Sequence, residues 1–212
     1  MYKDTAILLP CYNEALSIKK VVEDFARYLP DAAIHVFDNN STDDTASIAT
    51  KAGAIVHKVQ NKGKGNVVAR MFADVDAEVL IMADGDGTYP AESAPHLVKA
   101  IYEGADMVVG VREETANACY REGHRFGNWL LTALVNVMFK VPTKDMLSGY
   151  RGFSRRFAKA FPARSRGFEI ETELTIFANE QRLYVAEYPI PYLPREEGSK
   201  SKLNTYRDGA RI

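Results

Sequence analysis

The stretch that decides the fold is Val79-Leu80-Ile81-Met82-Ala83-Asp84-Gly85-Asp86-Gly87. Five apolar residues in a row are typical of a strand buried on both faces. Asp84 and Asp86 would follow it in a Gly-rich turn, at the strand end where α/β sheets bind ligands. We expect both carboxylates to be exposed there, and Mg²⁺ or Mn²⁺ would offset their repulsion. A turn in which Asp and Gly serve only backbone geometry is the alternative.

Strands and helices alternate on both sides of this stretch. We predict strands at Thr5–Leu9, Ile34–Phe37, Ala54–His57, Val79–Ala83, Met107–Val111 and Leu183–Tyr188. We predict helices over residues 18–29, behind Asp43, over Lys64–Val75, around Leu97–Ile101, around Asn128–Phe139 and near Glu171–Asn179, with a basic irregular stretch after residue 139. This order predicts an α/β fold with a mostly parallel central sheet flanked by helices. No repeat or linker divides the chain, so we expect one domain over residues 1–212.

Composition narrows the function classes. The chain is 46% hydrophobic and 26% charged, as in soluble globular proteins. Its longest apolar stretch, Trp129–Phe139, is too short to span a bilayer, and no secretory signal is visible. Two cysteines and four histidines make no zinc spacing. We therefore expect a cytoplasmic protein without zinc chemistry.

The net charge of −1 hides an uneven distribution. Residues 140–166 hold eight basic residues and one acid, Asp145. Such an excess indicates an anionic partner or a solvated basic surface. Nucleic acid is the weaker candidate, because the segment contains no recognised nucleic-acid-binding motif. Asp145 itself suits a catalytic base, a positioning role, or a structural salt bridge to Arg151 or Lys144.

Three other polar segments are candidates. Asn61–Asn66 carries Lys62 and Lys64 in a Gly-rich turn before a helix; it fails the phosphate-loop templates but suits an anion, or a plain turn. Asp38 ends the second strand, where it suits a ribose or base, or caps Ser41–Asp43. Arg195–Lys202 is typical of a flexible phosphate-gripping loop or a frayed tail.

Taken in order, the motifs resemble those of the inverting nucleotide-sugar glycosyltransferases of family 2, which have the GT-A (Rossmann-like) fold. The matching motifs are Leu9-Pro10-Cys11-Tyr12-Asn13-Glu14, Asp38 to Asp43, Lys62-Gly63-Lys64-Gly65 and Ala83-Asp84-Gly85-Asp86-Gly87-Thr88-Tyr89-Pro90. Later motifs resemble the dolichyl-phosphate mannosyltransferase and polyprenyl-phosphate glycosyltransferase branch: Gly110-Val111-Arg112, Arg125-Phe126-Gly127-Asn128, Asp145 to Arg151, Gly167-Phe168-Glu169, Glu187 to Pro191, and Arg195 with Gly198 to Leu203.

The resemblance implies a nucleotide-sugar-binding half, residues 1–111, and an acceptor-binding half, residues 112–212. Asp84 and Asp86 would hold Mg²⁺ or Mn²⁺ against the donor diphosphate. The implied substrate-binding residues are Pro10, Tyr12 and Glu14 at the base, Asp38 at base or ribose, Lys62 and Gly65 in the Gly-rich turn, Arg112 and Arg125 at the acceptor phosphate, and Arg195, Ser199, Lys200 and Lys202 over the phosphates. The sequence departs from the family at Asn39 and Asn40, where relatives have Asp and Gly, and at Ser201, which separates two candidate lysines.

Two acceptors follow from this resemblance. A polyprenyl or dolichyl phosphate is already anionic, so Asp145 would position it and no strong base is needed. A saccharide hydroxyl would need a base, and Asp145 is then the candidate. The lipid acceptor places the protein at the cytoplasmic face of a membrane, held by surface charge, a further C-terminal segment or a partner protein. A sugar-1-phosphate nucleotidyltransferase is disfavoured, because residues 10–14 do not form its G-x-G-T-R loop; a non-catalytic nucleotide-binding module is disfavoured by Asp84 and Asp86.

Overall fold

A computed structural model describes residues 4–113, 143–196 and 198 of the chain. The strands in this part of the chain are β1 (Thr5–Cys11), β2 (Ala33–Asp38), β3 (Ile55–Lys58), β4 (Val79–Met82), β5 (Met107–Glu113), β6 (Arg151–Ser154) and β7 (Val185–Pro191). The helices are α1 (Ile18–Tyr28), α2 (Thr45–Lys51), α3 (Lys64–Asp74), α4 (Ala94–Tyr102), α5 (Arg155–Ala160) and α6 (Ile170–Glu180). The predicted helix at Asn128–Phe139 lies outside the described residues.

The strands form one sheet in the order β3-β2-β1-β4-β6-β5-β7. Strands β3, β2, β1 and β4 run parallel to one another, and β5 and β7 are parallel to each other. Strand β6 is antiparallel to both β4 and β5. The predicted α/β fold with a mostly parallel sheet is therefore confirmed. Since β6 lies between β4 and β5, residues from both proposed halves share this sheet.

Two apolar layers cover the sheet, because successive strand residues point to opposite faces. Ile7 and Leu9 of β1 face α1 and α4, whereas Leu8 faces α3, α5 and α6. These strand residues are completely buried. With both faces covered, β1 and β4 read as continuous apolar runs in the sequence. The helices thus leave only the strand ends open to a ligand.

Strand β1 continues past the position where the sequence predicted its end. Pro10 has no backbone N–H, and the missing N–H would have pointed towards β4. The last residue of β4 that pairs with β1 is Met82, which lies opposite Leu8. No strand residue of β4 therefore lies opposite Pro10 to use the missing donor. On the other side, β1 stays paired with β2 as far as Cys11 and Asp38. This extension carries β1 to the acidic edge described below.

Strand β6 and helix α5 occupy part of the segment that the sequence indicated was irregular. Arg151 begins β6 and is completely buried. Its guanidinium donates to the carbonyls of Ser148 and Met146 and to the Thr175 hydroxyl. Burial lowers the pKa of Arg151 to about 10. The sequence did not predict this short strand, because an arginine is normally expected at the surface and Arg151 lies in the core.

Two arginines of the basic segment pair with acids from elsewhere in the fold. Arg155 forms two hydrogen bonds with Asp76, and Arg156 binds Asp106. Lys159 donates to the backbone carbonyls of Phe72 and Val75. At these positions the basic residues have partners within the protein, while Arg155 and Arg156 stay exposed to solvent. In the described part of the chain, no helix is both long and apolar enough to cross a membrane.

Candidate active site

The carboxyl ends of β1, β2 and β4 form an acidic edge of the sheet. The thiol of Cys11 lies at the end of β1, and its pKa is affected by the acids around it. Burial raises its pKa well above the ordinary value, and nearby negative charges raise it further. The contributing carboxylates belong to Glu14, Asp38, Asp84 and Asp86. Residues from three sequence motifs thus meet at one place, as expected for the open ends of parallel strands.

The turn that carries Asp84 and Asp86 is fixed by close packing. A Cβ on Gly85 would lie 2.4 Å from the sulfur of Cys11, so only glycine fits against the end of β1. The Ser17 hydroxyl donates to the Gly85 carbonyl at 2.7 Å, which ties the turn to the start of α1. The two carboxylates are therefore held by β1 and α1 together, as well as by their own strand.

Asp86 is buried, with 4% of its surface exposed, and the expectation of two exposed carboxylates was wrong for it. Its Oδ1 accepts hydrogen bonds from the Thr88 backbone N–H and hydroxyl. Its Oδ2 lies 2.6 Å from the guanidinium of Arg195. Burial alone would lower the pKa of Arg195, but Asp86, Tyr192 and Asp84 together outweigh it and raise that pKa above its ordinary value. The structure thus brings the Arg195 motif to the acidic pair.

Asp84 is more open, with 30% of its side chain exposed, and it pairs with Lys64. The Lys64 ammonium lies 2.6 Å from Asp84 Oδ1 and 2.7 Å from Glu171 Oε1. Burial opposes the charge of Lys64, but the two carboxylates outweigh it and raise its pKa above the ordinary value. The sequence indicated Lys64 as part of an anion-binding turn but not as a partner of Asp84, and Glu171 was not among the predicted site residues. The helical spacing of acids in α6 gave no sign that one of them points inward.

The Gly-rich turn before α3 is packed against another loop. The backbone N–H of Gly65 donates to the carbonyls of Arg166 and Gly167. A Cβ on Gly65 would lie 2.1 Å from the Ser165 carbonyl oxygen. That N–H is therefore committed to protein carbonyls, and the glycine serves close packing. The lysine side chains of the turn, not its backbone, face the acidic edge.

On the other side of the edge, Tyr12 and Lys62 lie together at the surface. The Lys62 ammonium is 6.0 Å from the centre of the Tyr12 ring, and Tyr12 is 37% exposed. Glu14 and Asp38 are buried beside them, and Pro10 is partly buried in β1. The Asp38 carboxylate accepts from the Ser41 N–H at 3.3 Å. The residues that the sequence predicted around a base thus form one neighbourhood.

The side-chain amide of Asn39 is used within the protein. Its Nδ2 donates to the carbonyls of Val59 and Asn61, and its Oδ1 accepts from the Gly63 N–H. A carboxylate could not make the two donations. Asn39 thus ties the end of β2 to the segment that leads into α3.

Beyond the metal-binding candidates, Asp145 pairs with Arg112 at the end of β5. Both Asp145 oxygens accept from the guanidinium, at 2.6 and 2.7 Å, and Oδ2 also accepts the Arg112 backbone N–H. The salt bridges to Arg151 or Lys144 considered from the sequence are replaced by this pair. The Arg112 guanidinium also lies 5.4 Å from the Tyr192 ring centre. Arg125, Ser199, Lys200 and Lys202 lie outside the described residues.

The chemistry of the acidic pair fits a hard divalent cation. Asp84 and Asp86 offer oxygen ligands, and Mg²⁺ is usually bound by one or two carboxylates plus phosphates and water. Within residues 4–113, 143–196 and 198, no group of three or more His, Cys, Asp or Glu side chains is arranged to hold a metal. The remaining ligands would therefore come from a substrate phosphate and solvent.

Comparisons with known proteins show the family to which the chain belongs. The family model described as Glycosyl transferase family 2 matches residues 6–161. Glycosyltransferase AglJ of Haloferax volcanii is 35% identical over 97% of this chain and 68% of its own length. The dolichyl-phosphate hexose transferase of the same organism is 29% identical over 100% of this chain and 91% of its own length.

A solved structure shows the same fold. Glucosyl-3-phosphoglycerate synthase from Mycobacterium tuberculosis, in complex with Mn²⁺, UDP and glucosyl-3-phosphoglycerate, superposes with a TM-score of 0.77 at 22% identity. The match covers 93% of this chain and 73% of that one. The match at this identity shows a shared fold, whereas the family match over residues 6–161 shows kinship. The chain belongs to glycosyl transferase family 2 and is a nucleotide-sugar-dependent glycosyltransferase.

Proposed function

We propose that this enzyme transfers a sugar from a nucleoside-diphosphate sugar to a polyprenyl or dolichyl phosphate, with inversion at the anomeric carbon. The observation that carries the choice of acceptor is the Arg112–Asp145 pair. The proposed place of action is the cytoplasmic face of a membrane. Residues 1–111 would supply most of the donor site, and residues 112–212 the acceptor site.

On the donor side, Asp84 and Asp86 would hold Mg²⁺ or Mn²⁺, which neutralises the charge that develops on the departing nucleoside diphosphate. Tyr12 and Lys62 would border the base, with Asp38 at the base or ribose. Arg195 already lies at Asp86 and would reach the phosphates from there. These residues hold the donor so that its anomeric carbon faces the second half of the site.

On the acceptor side, the carboxylate of Asp145 is bound by Arg112 through both oxygens and is almost fully buried. A general base needs a lone pair directed at the proton that it removes. Here both oxygens are directed at a guanidinium, which suits orientation of that arginine. A phosphate acceptor arrives ionised and needs only cations to receive it. This geometry favours a phosphate over a saccharide hydroxyl.

The relatives support the same acceptor class. One of them is named dolichyl-phosphate hexose transferase, and the alignment spans the whole of this chain. Arg112 would meet the acceptor phosphate, with Arg125 as its proposed partner. Ser199, Lys200 and Lys202 are proposed to close over the donor phosphates.

The test combines a donor panel with matched acceptors. UDP-, GDP-, dTDP- and CDP-sugars are first compared by thermal shift with Mn²⁺. The donor that binds is then offered a short-chain polyprenyl phosphate, the polyprenol without phosphate, and a simple saccharide. We expect a glycolipid product only with the polyprenyl phosphate. Equal transfer to the saccharide, with the polyprenyl phosphate ignored, would show that the acceptor assignment is wrong.

Replacing Asp145 by Asn separates positioning from base catalysis. A positioning residue predicts a rise in KM for the polyprenyl phosphate of about tenfold, since one good hydrogen bond to the arginine is lost, and an unchanged pH profile of kcat. A base predicts a collapse of kcat and loss of the acidic limb of the profile. The second result would favour the saccharide acceptor.

A further inference from the structure

Lys64 pairs with Asp84, a carboxylate that a metal ion would also bind. Its ammonium bridges Asp84 and Glu171 at 2.6 and 2.7 Å, and only 10% of its side chain is exposed. Asp84 is also one of the two proposed metal ligands. A divalent cation and an ammonium on one carboxylate repel each other strongly at such distances. Binding of the metal therefore requires Lys64 to give up Asp84.

The surroundings of Lys64 restrict where its ammonium can go. A Cβ on Gly149 would lie 2.6 Å from Asp84 Oδ2 and 3.1 Å from the Lys64 nitrogen, so the 145–151 segment closes one side. Lys64 is the first residue of α3, whose start is pinned by the hydrogen bonds from Gly65. The backbone is thus fixed, and movement is left to the end of the side chain.

Glu171 is the second carboxylate that holds the Lys64 ammonium, and only one of its two oxygens is hydrogen-bonded among the described residues. Its side chain is 5% exposed, and among the described residues its Oε2 has no hydrogen-bond partner. A buried carboxylate oxygen without a partner is costly. If the ammonium turns away from Asp84, Glu171 still holds it beside the acidic pair. There it would meet the diphosphate that arrives with the metal.

We propose that Lys64 is a positioning residue that couples metal binding to binding of the donor diphosphate. Before the donor binds, it neutralises Asp84; when the metal takes Asp84, Lys64 remains on Glu171 and bonds the diphosphate. The metal without nucleotide must displace the ammonium with no compensating contact, so it binds weakly. This inference rests on the donor half of the proposed function and does not depend on the acceptor.

The experiment removes the lysine without leaving a buried unpaired charge. The double variant Lys64→Met/Glu171→Gln keeps the local net charge, because it removes one cation and one anion. The matched control is Lys99→Met/Glu103→Gln, an exposed Lys–Glu pair on α4. Mn²⁺ affinity is measured by electron paramagnetic resonance without nucleotide. The affinity of the nucleoside diphosphate chosen from UDP, GDP, dTDP and CDP is measured by calorimetry at saturating Mn²⁺.

We expect the double variant to bind Mn²⁺ alone about tenfold more tightly and the nucleotide about tenfold more weakly. With the nucleotide affinity in the absence of metal unchanged, the coupling between the two ligands falls about tenfold, within the usual range of coupling between sites. The control should match the wild type. A purely structural role for Lys64 predicts that both affinities fall together, and this result, or no change in either, would overturn the proposal.

The single variant Glu171→Gln should change the Mn²⁺ affinity in the opposite direction from the double variant. It tests the proposal if the double variant does not fold. It leaves Lys64 with Asp84 as its carboxylate partner, so Mn²⁺ alone should bind more weakly than to the wild type. Unchanged or tighter binding would also overturn the proposal. Failure of the wild type to bind Mn²⁺ with any of the four nucleotides would instead count against the donor assignment itself.

Discussion

At the scale of single residues, the acidic pair is asymmetric. Asp86 is buried and held by Thr88 and Arg195, whereas Asp84 is partly open and held by Lys64. Asp86 is therefore part of the folded turn as well as a ligand candidate. Asp84 is the better position at which to test metal binding, since its replacement disturbs less of the core.

We predict that Asp84→Asn lowers transfer at least a hundredfold with Mn²⁺ present, because one metal ligand is lost while the shape is kept. Initial rates at saturating donor measure this. Asp74→Asn is the control, since Asp74 pairs with Arg70 on the exposed side of α3. Full activity of the Asp84→Asn variant in a chelator would show that the metal assignment is wrong.

Asn39 gives a second residue-scale prediction. Asn39→Asp should lower the free energy of unfolding by about 2 kcal/mol, because a carboxylate would face two carbonyl oxygens to which the amide donates. Urea unfolding at pH 7.5 measures the loss. Asn66→Asp is the control, since its amide makes one bond near the surface, and its effect should be close to zero. Equal effects would mean that the amide of Asn39 is not the tether described above.

The residue scale also shows what the sequence could reveal about the site. Asp84 and Asp38 were found because a polar residue at the end of an apolar strand is conspicuous, and Asp86 and Glu14 because they lie in the segments that follow such strands. Glu171 and its pairing with Lys64 were missed because Glu171 looks like an ordinary surface charge of an amphipathic helix, and the turn around Lys64 indicated only an anion site. Only the packing of α3 against the loop before α6 turns both inward. The pairing of buried charges depends on residues that are far apart in the sequence, so the local sequence pattern does not predict it.

At the scale of elements, the start of α3 depends on the loop at residues 163–167. Gly65→Ala should destabilise the fold by about 3 kcal/mol, because the new methyl group would collide with the Ser165 carbonyl. Gly104→Ala is the control: its φ is positive, but a Cβ there meets nothing within 4 Å, so it should cost only about 1 kcal/mol. Denaturant midpoints compare the two. Similar losses of stability in the two variants would show that the loop at residues 163–167 shifts to accommodate the methyl group at little cost.

Most elements were predictable because hydrophobic periodicity dominates them. The pattern of α1, with Ile18, Val21, Val22 and Phe25 buried, is clear in the sequence. Strand β6 was missed because it is four residues long and begins with a buried arginine. Strand β7 was placed two residues early, since its end at Pro191 pairs with β5 in a way that local sequence does not predict.

At the scale of the whole molecule, β6 joins two parts of the sheet. Strands β4 and β5 are not neighbours, and each is hydrogen-bonded to β6. We predict that a fragment of residues 1–111 shows no cooperative urea transition, because its β5 lacks both neighbouring strands. Circular dichroism during urea titration measures this. Adding residues 112–212 as a separate chain should restore a transition, and a cooperative transition of the fragment alone would contradict the prediction.

The insertion of β6 also has a consequence during synthesis on the ribosome. β4 and β5 are translated well before the strand that connects them, so the nascent chain exposes unpaired strand edges while residues 114–154 are made. At about 5–20 residues per second this lasts a few seconds. Such edges invite pairing with other chains. Yield in a cell should therefore depend on elongation speed and on chaperones that shield the open sheet until its middle strand arrives.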